Sequence, residues 1–165
     1  VTDTDAKLMQ PILKQAYEHK GTSFIEIYQN CNVFNDNAFV HLTKGDVKKD
    51  AQLILEHGKP MIFGKERNKG LIFEDGKLAV ATIGENGVSE DDIIVHNEAD
   101  PDPTVAFRLA RMDAPDFPVA MGIFRKVEKS TYDDAITQQV IDAKEAAPNK
   151  TIHDLLHSGD TWEVK

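Results

Sequence analysis

Cysteine is almost absent from this 165-residue sequence, in which Cys31 stands alone. A single thiol cannot form an internal disulfide, which agrees with a reducing cytoplasm. A metal or cluster site built on thiolates needs several of them, and this chain has no second Cys. We therefore expect Cys31 to bind a metal only together with ligands from outside this chain.

Long hydrophobic runs are also missing. The longest, residues 78–81 and 119–121, fall far short of the roughly 20 apolar residues that a membrane-spanning helix needs. The first five residues are polar and acidic, whereas a signal peptide begins with basic and then apolar residues. The content of hydrophobic (41%) and charged (28%) residues is typical of a folded, water-soluble protein, so we expect a cytoplasmic globular chain.

Positive charge is in deficit, because 19 Lys and Arg face 28 Asp and Glu and leave a net charge of -9. This balance repels phosphate backbones, and no run of basic residues is dense enough to reverse it locally. The glycines at 64 and 84–87 lie among hairpin signals rather than between a strand and a helix, so no phosphate-binding loop is recognisable. Nucleic acid is excluded as an expected partner.

The first 31 residues have the pattern of a helix followed by a buried strand. Asp3 or Asp5 can cap a helix with apolar residues at helical spacing, in which Pro11 predicts a kink or a break. Residues 23–28 are almost continuously apolar and rich in β-formers, which predicts a mostly buried strand. The Asn- and Asp-rich residues 29–37 then predict a loop. Residues 1–31 are therefore typical of the end of a larger parallel α/β sheet.

Residues 32–165 predict an α+β extension. Asp46 can cap a helix through Leu55 that closes at Gly58. Turn signals separate short apolar runs and predict antiparallel hairpins over residues 59–83. A helix and a strand are predicted over residues 102–127, and a helical tail over residues 130–157, with Thr151 as the cap of its last helix.

Few residues suggest chemistry on pattern alone. Cys31 follows the predicted strand, where α/β proteins place ligands, although a free Cys is more often an inert buried residue. His153 and His157 lie one helical turn apart, as in zinc proteases, but Asp154 is shorter than the Glu that such sites use, which favours a surface helix. The acidic residues 90–92 are typical of a solvated turn rather than a cation site.

Four sequence words carry a resemblance to a known family. They are residues 20–36 (KGTSFIEIYQNCNVFND), 55–64 (LEHGKPMIFG), 84–87 (GENG) and 158–162 (SGDTW). These words resemble the C-terminal part of the β subunit of 2-oxoacid:ferredoxin oxidoreductases, most closely the 2-oxoglutarate subgroup, and they extend over nearly the whole chain.

The resemblance implies oxidative decarboxylation of a 2-oxoacid on thiamine diphosphate and magnesium, acyl transfer to coenzyme A, and electron transfer through a 4Fe-4S cluster to ferredoxin. It implies that residues 1–31 are the last helix and strand of the thiamine-diphosphate-binding parallel sheet and that Cys31 is one cluster ligand. It also implies an α subunit as partner. The uncovered face of Phe24, Ile25 and Ile27 predicts self-association of this chain or partial disorder near its N-terminus.

The chain departs from the family pattern in what it lacks. The Cys-x-x-Cys pair, a further Cys and the Gly-Asp-Gly metal and diphosphate motif are absent, so no catalytic or cofactor-binding residue is matched. We expect a truncated polypeptide, with a degenerate homologue as the alternative, and no activity from the chain alone. The rival interpretations are a non-enzymatic α+β interaction module, in which Cys31 is an inert core residue, and a zinc hydrolase using His153 and His157.

Overall fold

The computed structural model describes residues 1–148 and 150–164 of the chain. They form two compact units, Val1–Glu128 and a second that begins at Lys129. No helix in these two ranges is long and apolar enough to span a bilayer. The elements in chain order are α1 (Ala6–Glu18), α2 (Val40–Thr43), α3 (Val47–Ala51), β1 (Gln52–Ile54), β2 (Ile62–Phe63), β3 (Lys69–Glu74), β4 (Lys77–Thr82), a 3-10 turn (Glu90–Asp92), α4 (Thr104–Ala110), β5 (Val119–Met121), α5 (Tyr132–Ala146) and α6 (Ile152–Leu156).

The first unit has an α/β core with two small sheets. Strands β2, β3 and β4 form an antiparallel meander, which confirms the predicted hairpins, and Asp75 and Gly76 make its tight turn with positive φ. Strands β1 and β5 pair in parallel. Apolar residues from both sheets, from the segments beside them and from α4 pack into one core cluster. It consists of Leu53, Leu55, Met61, Phe63, Leu71, Leu109 and Ala120.

The prediction for residues 47–58 is wrong in its second half. Helix α3 ends at Ala51, and Gln52–Ile54 is a strand. Leu53 is fully buried in this strand and pairs with Ala120 of β5. The pairing of the backbone with a distant strand therefore overrides the local helical spacing of the apolar residues.

The predicted strand over residues 23–28 is also wrong for this chain. These residues run without a ladder, and the sole pairing is an isolated bridge between Thr2 and Tyr28. Phe24 is 91% exposed and Ile27 is 43% exposed, so the segment is not buried. A strand needs hydrogen-bonded neighbours along its edges, and beyond the bridge at Tyr28 the backbone of this segment gains only the bond from the Val1 ammonium to the Glu26 carbonyl, at 3.0 Å.

Two further expectations need correction. Helix α1 continues past Pro11 without a break, and it is capped by Asp5, whose carboxylate accepts the Leu8 N–H at 3.2 Å. The strand predicted from residue 119 ends at Met121, since Gly122 adopts φ +130° and leaves the extended register.

The second unit is the predicted helical tail. Thr131 caps α5 by accepting the Asp134 N–H at 3.1 Å. Thr151 caps α6, and its hydroxyl and backbone N–H both donate to the Asp154 carboxylate, which confirms the capping predicted for that helix.

Candidate functional site

Cys31 lies at the surface in a compact polar loop. Its carbonyl accepts the Asn35 N–H at 2.9 Å, which closes a turn that runs from Cys31 to Asn35. The Asn30 side chain closes a wider turn by accepting the Asn37 N–H at 2.8 Å and by donating to Asp36 at 3.0 Å. These Asn and Asp side chains bond to nearby backbone, as their type predicts, and so fix the loop around Cys31.

The loop polarises the sulfur. Hydrogen bonding from the backbone N–H groups of Phe34 and, next, Val33 holds the pKa of the thiol below its ordinary value of 9.0. Cys31 is exposed rather than buried, so the alternative that placed it in the core is wrong. An accessible thiolate can act as a metal ligand or as a nucleophile.

The base of the loop is tied to the N-terminal segment. Tyr28 donates its N–H to the carbonyl of Val1 at 2.8 Å and accepts the Asp3 N–H at 3.1 Å. Its ring meets the ring of Phe39 edge-on, with the centroids 5.1 Å apart. Burial is the main cause that raises the pKa of the Tyr28 hydroxyl. The loop that carries Cys31 is therefore anchored on both sides, before and after the thiol.

Large apolar side chains on the loop and on the segment before it remain uncovered. Val33 and Phe34, two and three residues after Cys31, are 82% and 91% exposed, and Phe24 on the segment before the loop is 91% exposed. Isolated apolar residues on a surface need no explanation, but several in one short stretch of chain are typical of a surface that another polypeptide covers. The sequence segment around Cys31 already pointed to this region. The hydrogen bonding of the Val33 and Phe34 N–H groups could not be read from the sequence.

The two histidines of α6 come together without forming a metal cage. Their rings stack with centroids 4.1 Å apart, and Nδ1 of His157 lies 2.7 Å from the carbonyl oxygen of His153. Over residues 1–148 and 150–164, no group of three or more His, Cys, Asp or Glu side chains is arranged to hold a metal ion. Both rings are exposed, as expected for a surface helix.

The acidic turn at residues 90–92 and a buried histidine close to it in sequence both make structural hydrogen bonds. Asp92 caps the 3-10 turn by accepting the Ser89 N–H and hydroxyl, each at 2.8 Å, and these bonds lower the pKa of its carboxyl. His96 is buried and its Nε2 lies 2.8 Å from the carbonyl oxygen of Ile123, which links the segment after the meander to the end of β5.

Comparison with known proteins gives one informative similarity. No family model matches the sequence, and no solved structure matches it. The chain is 36% identical over 165 residues to 2-oxoglutarate oxidoreductase subunit KorB of Mycobacterium tuberculosis, with 98% of this chain matched. The matched region spans 43% of that relative's length. This similarity to a subunit of a 2-oxoglutarate oxidoreductase confirms the resemblance recognised in the sequence segments.

Proposed function

We propose that this chain is part of an oxidoreductase that oxidatively decarboxylates 2-oxoglutarate to its acyl-coenzyme A and passes the electrons to ferredoxin. The observation that carries the proposal is the 36% identity, over 98% of the chain, to a subunit named for 2-oxoglutarate oxidoreductase. Because that name is of a subunit, we propose a second subunit of the same enzyme as the partner. Coenzyme A and ferredoxin enter the proposal through the family resemblance.

The role we propose for Cys31 is one thiolate ligand of a 4Fe-4S cluster. The exposed sulfur and the N–H groups of Phe34 and Val33 fit such a ligand, since hydrogen bonds to cluster sulfurs are a means by which proteins set the potential. This chain offers one thiol, so the remaining ligands in the proposal come from polypeptide outside it. The loop would hold the thiolate at a fixed position and orientation.

The rest of the chemistry lies outside the residues described. Thiamine diphosphate with magnesium supplies the electron sink for decarboxylation when bound, and the cluster supplies one-electron transfer. No residue of this chain matches the diphosphate or magnesium ligands of the family. The uncovered Phe24, Val33 and Phe34 support a contribution of this chain to contacts within the complex, and in isolation the same surface favours self-association.

The test is expression of the whole gene that encodes this chain, together with the partner subunit. The proposal predicts a brown protein with bound iron whose absorbance and reduced-state paramagnetic signal are lost in Cys31→Ser and Cys31→Ala. Val33→Ala is the matched control, because it removes another exposed side chain from the same loop and keeps the thiol and the backbone N–H.

The outcomes separate the rival functions. Unchanged iron and colour in Cys31→Ala would show that Cys31 is not a ligand. A colourless wild-type complex without iron would favour the interaction module over the oxidoreductase. Zinc bound to the isolated chain, and lost on replacing His153 and His157, would instead favour the hydrolase.

A further inference from the structure

A groove of about 790 Å³ in the first unit is lined by more basic than acidic side chains, in a chain whose net charge is -9. It lies between α3, the residues that lead into β2, and the turn that joins β2 to β3. We call it the basic groove. Five basic side chains line it against three acidic ones (Asp5, Glu56 and Glu90), and the basic ones are Lys48, Lys49, Lys59, Lys65 and Arg67.

Ion pairs leave the charge uneven within the basic groove. Lys48 pairs with Asp5 at 2.7 Å, and Lys65 and Lys49 both pair with Asp46, at 3.2 Å and 3.9 Å. Lys59 pairs with Glu56. Arg67 makes no salt bridge with any residue of the ranges 1–148 and 150–164. The guanidinium of Arg67 is therefore the group best placed to take an anion from solution.

The backbone at Arg67 is held in an unfavourable conformation. Its φ is +52°, in the left-handed region that glycine and asparagine occupy more easily, and its N–H donates to the carbonyl of Gly64 at 3.0 Å. The turn is anchored to α3, because Gly64 N–H donates to the Lys49 carbonyl and Lys65 N–H donates to the Asp50 carboxylate, both at 3.2 Å. Strained residues of this kind concentrate at ligand sites.

The floor of the basic groove is apolar. Ile54, which is 40% exposed, and the half-buried Ile62 line it beside the buried Phe63. A groove with a basic rim and an apolar floor suits a ligand that has an anionic group and an apolar body. The volume falls within the range of about 300–1,000 Å³ that is common for small-molecule sites.

We propose that the basic groove binds an organic phosphate, a small molecule whose phosphate meets Arg67 while its apolar or aromatic body lies on Ile54 and Ile62. The planar fork of an arginine matches two phosphate oxygens at once, and neighbouring lysines add point charges. This inference goes beyond the proposed oxidoreductase function and depends on neither Cys31 nor a cluster.

The test is calorimetric titration of the full chain, without added metal, with ADP and with inorganic pyrophosphate at low ionic strength. Pyrophosphate reports on phosphate recognition alone, and tighter binding of ADP reports on the apolar floor. Arg67→Gly removes the guanidinium and relieves the backbone, so it keeps the fold and is expected to weaken ADP binding about tenfold or more, the loss of a charge-assisted hydrogen-bond pair. Lys77→Ala, which removes an exposed charge on β4 outside the groove, is the matched control and should leave binding unchanged.

Three results would overturn the proposal. The first is no saturable binding of either compound. The second is an equal loss in Arg67→Gly and Lys77→Ala, which would indicate diffuse attraction rather than a site. The third is binding of poly-glutamate at Arg67 without binding of ADP, which would assign the groove to an acidic protein. None of these results bears on iron binding at Cys31.

Discussion

Gly122 is the position at which one added methyl group tests the packing between the two parallel strands. It follows β5 with φ +130°, and a Cβ atom there would lie 2.9 Å from the carbonyl oxygen of Leu55 and 3.1 Å from its Cβ. The Leu55 backbone cannot retreat easily, because its N–H donates to the Met121 carbonyl at 2.8 Å. We predict that Gly122→Ala strongly destabilises the first unit.

The magnitude has two parts that a control can separate. An alanine in this region of φ costs about 1–3 kcal/mol in backbone strain. Overpacking against neighbours that cannot move adds about 1–3 kcal/mol. Gly84 has φ +89° with no atom within 4 Å of its added Cβ, so Gly84→Ala carries the strain alone. The expected loss is therefore about 2–6 kcal/mol for Gly122→Ala and about 1–3 kcal/mol for Gly84→Ala.

The assay is urea unfolding of both variants and the wild type, followed by far-ultraviolet circular dichroism. The midpoint of Gly122→Ala should fall well below that of Gly84→Ala while the slopes stay equal, so that the midpoints report stability. Equal midpoints for the two variants would refute the reasoning, because the contact with Leu55 would then cost nothing.

Two pH-dependent predictions follow from local hydrogen bonds. The side-chain hydrogen bond from Lys48 is the main cause that lowers the pKa of Asp5 below its ordinary value of 3.8. The pair therefore stabilises the fold above that pH, and this contribution is lost as the pH falls through the folded pKa. The melting temperature of the wild type should exceed that of Asp5→Asn at neutral pH, and the two melting temperatures should converge in acid. The Phe34 and Val33 N–H groups lower the pKa of Cys31, so alkylation of the folded chain by iodoacetamide should reach its half-maximal rate below pH 9.0. The chain unfolded in urea is the control, and identical pH profiles of alkylation in the folded and unfolded states would contradict the lowered pKa.

Elements with local signals were predictable from the sequence. The Asp5 and Thr151 caps and the Asp75-Gly76 turn depend on side chains and backbone within four residues, and each is confirmed by the structure. Cap and turn chemistry acts over such short distances that no knowledge of the rest of the fold is needed.

Elements decided by distant partners were not predictable. The apolar residues from Ala51 to Leu55 fit a helix as well as a strand, and the choice is made by β5, far along the chain. Residues 23–28 have the composition of a strand yet lack pairing partners in this chain. Hydrophobic periodicity alone cannot report whether a neighbouring strand exists.

The candidate sites divide in the same way. Cys31 was found through a resemblance of sequence words, and its solvent exposure needed the structure. The basic groove left no mark in the sequence, because its charges are spread from Lys48 to Arg67 among acidic residues and meet when the β2–β3 turn folds against α3.

The parallel pairing of β1 with β5 has a consequence for the order in which the chain folds. Gln52 and Val119 are distant in sequence, so bringing them together closes a long loop whose entropy must be lost before the pair gains any hydrogen bonds. Strands β3 and β4 meet across two residues and close far sooner. Folding of the first unit is thus limited by its smallest sheet, whose amides should exchange with solvent only when the whole unit opens.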